Sequence, residues 1–287
     1  MALRDRVRKL MPYLFLPAAY PNHRLRPSVR ILMYHRVTRL PKYDQLTVTP
    51  ERFDEQLTAL KANYRVVSLA QALNELEGGP PQAPTVVVTF DDGYRDNLEH
   101  ALPILQRHNI PATIFVTARF SDGTQRHPRY PNESGKLHLD WSEVKSLSDE
   151  PGISIGSHTL THPFLSRVSE ERAVAEIAGS REEIANHIGK PVEFFCYPSG
   201  DFTARERRLV ESAGYRAAVS VCPGANRDLS ERFELRRTEV TDRDGARELL
   251  LKLVGAYDPV HLLLHQRRER TFEKARTAPA VSNESAP

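Results

Sequence analysis

The chain has 287 residues, 40% of them hydrophobic and 27% charged, with a formal net charge of +3. This is the profile of a globular protein with a sizeable core, and the small positive balance, with no Lys/Arg block interleaved with aromatics, argues against a nucleic-acid partner. Cys196 and Cys222 are too few for a disulfide framework or a cysteine-built zinc site; one disulfide stays open, and two buried thiols are preferred.

The N-terminus joins a basic segment, MALRDRVRKL, to a short apolar run, LMPYLFLPAAY, interrupted by Pro12 and Pro17. The run falls short of a membrane span, and no clean small-x-small cleavage pattern follows it. Residues 1–27 therefore read as a basic amphipathic lead-in resting on a domain. The alternative is peripheral membrane contact through its arginines and its Leu/Phe/Tyr face, and a cytoplasmic or membrane-peripheral location is narrowly favoured over export.

Beyond it, seven apolar runs predict strands: Arg30–Tyr34, Thr85–Phe90, Thr113–Thr117, Ile153–Gly156, Glu193–Tyr197, Ala217–Val221 and Glu234–Glu239. Helical patterns fall between them at Pro50–Asn63, Asp96–Asn109, Trp141–Leu147, Glu170–Ile188, Thr203–Ala213 and Asp244–Gly255. Alternation of this kind implies a mainly parallel sheet with helices outside it. Over residues 28–257 it predicts an α/β fold, a distorted (β/α) barrel of about seven strands, rather than a two-domain nucleotide-binding pair. The polar stretch Ala118–His138 reads as a loop over one barrel face. Residues 258–287 read as a helix followed by a disordered tail, TAPAVSNESAP.

Two stretches carry the chemistry. In TVVVTFDDGYRDN a buried strand runs into Asp91 and Asp92, then Gly93. Two like charges side by side at the end of an apolar strand are unfavourable unless a cation offsets them. In SIGSHTLTHPFLS, His158 and His162 stand four residues apart after another predicted strand. That spacing brings two imidazoles within reach of one metal ion, and Pro163 places the pair on a turn rather than inside a long helix. In barrels the chemistry sits at the C-terminal strand ends, where Asp91–Asp92, His158 and the Pro198–Gly200 turn all fall. Two imidazoles and a carboxylate leave open positions on a divalent ion, and the second aspartate is free to act as a base.

TFDDGY together with SHTLTHP resembles the NodB-homology polysaccharide deacetylases, carbohydrate esterase family four, over roughly residues 28–257. The resemblance implies Asp91 as base, Asp92, His158 and His162 as metal ligands, and zinc as the ion, with cobalt or nickel as alternatives. It implies a glycan or glycan-precursor substrate that loses N-acetyl groups. FCYPSGDF departs from the family pattern: Cys196 stands where arginine is usual and Ser199 where tyrosine is usual. The Pro198, Ser199, Gly200 turn is kept, and the Ser199 N–H remains available as an oxyanion donor, but the group that orients Asp91 is left open.

RILMYHRVT is similar to the circularly permuted poly-N-acetylglucosamine deacetylase branch. That implies His35 as the general acid, with His265 of VHLLLHQRRER belonging to a C-terminal helix instead. Trp141 is implied as an apolar wall near the acetyl group. The rival readings are hydrolysis of another amide or an acetyl ester on the same fold, a non-haem iron oxygenase, and a carbohydrate-binding pseudoenzyme suggested by the missing arginine.

Overall fold

The computed structural model describes residues 10–131 and 133–277. The seven expected strands all form, as β1 (Val29–Tyr34), β5 (Thr85–Phe90), β6 (Ala112–Val116), β7 (Ile153–Ser157), β8 (Phe194–Cys196), β9 (Ala217–Val219) and β10 (Arg237–Glu239). Three two-residue strands join them: β2 (Arg36–Val37), β3 (Thr47–Val48) and β4 (Arg65–Val66). All pairings in the main sheet are parallel, in the order β10-β1-β5-β6-β7-β8-β9, with β4 alongside the start of β5.

The sheet curls into a nearly closed barrel because the chain entering β10 lies along β9. Leu235 N–H donates to Ala218 O at 2.9 Å, Ser220 N–H to Leu235 O at 2.8 Å, and Arg237 N–H to Cys222 O at 2.9 Å. Strand periodicity sorts the side chains. In β5, Val86, Val88 and Phe90 pack outward against the helices, while Val87 joins Ile31, Phe115, Phe194, Cys196, Val219 and Leu235 in the interior. Asp91 continues the inward row of Val87.

The floor of the barrel comes from a helix the sequence pattern did not yield, Leu69–Glu77. Leu69, Ala72, Leu73 and Leu76 pack into the same interior cluster, and Ser68 and Gln71 form a capping box at its start. Two other helices depart from expectation in a shared way. The predicted Asp96–Asn109 helix opens with a π-helical turn, Asn97–Ala101, before Leu102–His108. The predicted Glu170–Ile188 helix is interrupted by a π turn at Ala175–Gly179.

Outside the barrel, the helix Pro12–Leu25 lays Tyr13, Leu16 and Ala19 against Leu251, Ala256 and Tyr257. Its contacts are those of a segment resting on the domain and lend no support to membrane contact. Among the described residues no helix is long and apolar enough to cross a membrane. A C-terminal helix spans Asp258–Thr277 and includes His265. Residues 1–9 and most of the tail read as disordered lie outside the described residues.

Candidate active site

β5 ends at Phe90, and Asp91 remains tied to the sheet through its N–H to Tyr34 O at 3.0 Å. Asp92 then adopts φ 70° and Gly93 φ 61°. This left-handed turn swings Asp92 out of the position that simple alternation would give it. At Gly93 a Cβ would stand 3.0 Å from Val116 Cγ1, so the close approach of the two strand ends requires glycine. The SHTLTHP turn is built similarly: Thr159 and His162 have φ 70° and 59°, and His162 N–H donates to Thr159 Oγ1 at 2.9 Å. Of the five non-glycine residues with positive φ among the described residues, Asp92, Thr159, His162 and Ser199 belong to this region. Such conformations cost free energy and persist where the surroundings fix them.

The two π turns bond to backbone beside these residues. Asn97 Nδ2 donates to His35 O at 2.8 Å. Glu176, buried at the other π turn, accepts Thr161 N–H at 2.8 Å. Each π turn thus holds the backbone of a site segment.

Asp92 is buried, and its Oδ1 receives no hydrogen bond. Yet Nε2 of His158 and Nε2 of His162 each lie 3.4 Å from that oxygen. Donor atoms about 2.1 Å from a tetrahedral zinc are about 3.4 Å apart, so each imidazole stands from the orphaned oxygen at the separation expected of two ligands of one ion. His158 Nδ1 lies 2.7 Å from Cys196 O; a proton placed there leaves the Nε2 lone pair free to ligate. Burial alone would push Asp92 up, but His158 and His162 hold its carboxyl well below the usual range.

Asp91 is gripped by Arg237. Nη1 donates to Oδ1 and Nη2 to Oδ2, each at 2.7 Å. The register of Ile31 against Arg237 turns this side chain inward, where Nε donates to Ser220 O at 2.8 Å. Nη2 also lies 3.2 Å from Cys196 Sγ. The small Cys196 side chain therefore shares the space with an arginine that arrives from β10. This supplies the orienting group that the sequence left open, and it removes the ground for the pseudoenzyme reading. Burial would raise the Asp91 carboxyl, and Arg237 holds it below its ordinary value.

His35, just beyond β1, places Nε2 3.9 Å from Asp91 Oδ2. The Pro198–Gly200 turn follows β8, with Ser199 at φ 55° and Gly200 at φ 66°. Trp141 stands apart in its contacts: its ring stacks on His187, with centroids 4.0 Å apart and planes 4° apart, and packs on the helix–sheet core. Those contacts do not include the aspartates or the facing histidines. His265 lines a separate cleft with Gly200, Val221, Cys222 and Glu234.

Sequence reasoning missed two further histidines. His138 Nδ1 lies 3.1 Å from Asp92 O, and His127 Nε2 is 3.8 Å from Asp92 Oδ2. Both come from the long loop, whose position in space no local pattern reveals. Burial pushes each imidazole down to about 4.

A parallel barrel with two histidines and two aspartates at its C-terminal strand ends offers candidate ligands for a metal ion. Residues 78–218 match the sequence model of the polysaccharide deacetylase family, and this part of the chain is a polysaccharide deacetylase domain. It is 28% identical over 213 residues to YxkH of Bacillus subtilis (strain 168), covering 74% of this chain and 71% of that protein. It is 29% identical over 147 residues to the poly-beta-1,6-N-acetyl-D-glucosamine N-deacetylase of Escherichia coli (strain K12), covering 50% of this chain but 22% of that protein. In fold it resembles the Streptococcus pyogenes deacetylase PplD, solved with acetate, with a TM-score of 0.71 and 23% identity over 79% of this chain and 99% of that one.

Proposed function

We propose that this chain removes N-acetyl groups from an N-acetylhexosamine-containing glycan, releasing acetate. The observation that carries the reading is the orphaned Asp92 Oδ1, 3.4 Å from two imidazole nitrogens, beside an Asp91 held ionised by Arg237. Asp92, His158 and His162 would hold a divalent ion, zinc before cobalt or nickel, which when bound supplies an acidified water and a polarised carbonyl. Asp91 accepts the proton of the attacking water; its two-point tether fixes the direction in which it receives it. His35 donates a proton to the departing amine nitrogen. Ser199 N–H, presented by the strained turn, donates to the acetyl oxygen as negative charge develops there. The name of the E. coli relative favours a β-linked N-acetylglucosamine polymer among glycan substrates.

The test is acetate release from defined N-acetylglucosamine oligomers by chelated and zinc-restored protein, with acetylxylan and small amides as competitors. Asp91→Asn is expected to abolish turnover while keeping zinc, and His158→Ala to lose both. Near-normal turnover by Asp91→Asn would remove Asp91 from the role of base. Preference for acetylxylan would move the substrate class to esters.

A further inference from the structure

His127 stands where a fourth metal ligand could stand: a nitrogen of its ring, a nitrogen of His162 and an oxygen of Asp92 lie within 4.8 Å of one another. Its hydrogen bonds give it a different role. Arg129 N–H donates to His127 Nδ1 at 3.2 Å, so that nitrogen is the acceptor and the ring proton sits on Nε2. His158 has the opposite arrangement, with Nδ1 facing a carbonyl and Nε2 facing the metal position. One imidazole offers the site a lone pair; the other offers it an N–H.

The same loop closes a circuit around Asp92. His138 Nδ1 meets Asp92 O at 3.1 Å, and His138 Nε2 accepts His127 N–H at 3.3 Å. His127 in turn points Nε2 at Asp92 Oδ2, 3.8 Å away. The two carboxylate oxygens are thereby divided: Oδ1 faces His158 and His162, and Oδ2 faces His127. The loop does not hang free. Arg36 forks onto Glu133 with two bonds of 2.7 Å, Arg129 Nε reaches Asp44 at 2.9 Å, and Tyr130 Oη reaches the same carboxylate at 2.5 Å.

We infer that His127 is a positioning residue for the metal, donating Nε2–H to Asp92 Oδ2 and so keeping Asp92 a one-oxygen ligand, rather than a metal ligand itself. This rests on the metal-site reading above. Outer hydrogen bonds of this kind orient ligating carboxylates, and their loss typically costs 10–100-fold in metal affinity. The distance of 3.8 Å would have to shorten to a hydrogen bond with the ion bound, as bonds at such sites commonly do.

The experiment compares the full chain with His127→Ala and His127→Gln. Zinc affinity is measured by chelator competition, and cobalt(II) is used as a spectroscopic probe, with thermal melts confirming that both variants fold. Gln keeps an N–H donor but is a poor replacement for an imidazole ligand. His127→Ala is expected to bind zinc roughly 10–100-fold more weakly, His127→Gln to recover most of that loss, and the visible cobalt bands to keep their positions in both. Equal weakening in both variants with displaced cobalt bands would make His127 a ligand and overturn the inference. Wild-type affinity in His127→Ala would overturn it as well. Wild-type protein that takes up neither metal would overturn the functional reading, and this inference with it.

Discussion

Arg237 and Asp91 share two parallel 2.7 Å hydrogen bonds across 146 residues of chain, at full burial of the guanidinium. Breaking a buried pair by removing one partner leaves an uncompensated charge and costs about 3–5 kcal/mol. Arg237→Gln is therefore expected to lower the unfolding free energy measured in urea by an amount in that range. Turnover should fall by at least about 100-fold, the scale of a mispositioned general base. Arg237→Lys, a point charge without the planar fork, should recover stability more than turnover. Wild-type turnover in Arg237→Gln would mean that Asp91 needs no orienting group.

Gly200 sits at φ 66°, and a Cβ there would meet Val221 Cγ2 at 2.2 Å. Gly200→Ala combines a left-handed backbone with an overpacked contact, costing about 1–3 kcal/mol. It should also displace the neighbouring Ser199 N–H and lower kcat. Pairing it with Val221→Ala removes the clash but not the backbone strain, so a double-mutant cycle in thermal unfolding should return part of the loss.

The Asp44 carboxyl, which burial would raise, is held below its ordinary value by Tyr130 and Arg129. A depressed pKa contributes stability that is complete above the unfolded value of about 3.9 and is lost as pH falls through the lower folded value. The loop carrying His127 should thus stay pinned from neutral pH down to about pH 4 and loosen below it. Amide exchange of residues 122–131, followed against the barrel strands, reads this directly. Asp44→Asn should give the acid-like exchange already at pH 7.

A metal held by Asp92, His158 and His162, as proposed, would favour the folded chain, and at 1,000 times its Kd a ligand of the folded state alone adds about 4 kcal/mol. Chelation should lower the melting temperature of the wild type. Asp92→Ala should melt at one temperature with or without chelator. A wild type indifferent to chelator would argue against the metal site.

Much of this molecule is legible in its sequence, and the pattern of what is not has a physical cause. Strand runs such as Thr85–Phe90 announce themselves because burial on both faces demands continuous apolar residues, and β5 occupies the expected span. Asp91, Asp92, His158 and His162 are visible because each pair is local in sequence. Arg237 was hidden: LRRTEV reads as a strand with two exposed-looking cations, and only the inward register against Ile31 shows which of them is buried. The π turns were hidden as well, since a 3.6-residue period runs through Asn97 and Glu176 without marking the extra residue that turns them toward His35 and Thr161. His127 depends on loop anchors at Arg36 and Asp44 that lie far back in the chain. The Leu69–Glu77 helix, by contrast, carried its capping signal, Ser68 with Gln71, in plain view.

The strand that closes the barrel is also the one that brings Arg237, and this sets an order of events during synthesis. At about 5–20 residues per second, the 146 residues separating Asp91 from its partner take roughly 7–30 s to emerge from the ribosome. Until then the nascent sheet holds an aspartate with no guanidinium beside it and an interior open along β9. Sealing the ring and pairing Asp91 with its guanidinium are a single late event. A chain halted before β10 would hold both the DDG and SHTLTHP segments and still lack the arginine that pairs with Asp91, so under the proposed mechanism hydrolysis would have to wait until synthesis has passed the final strand.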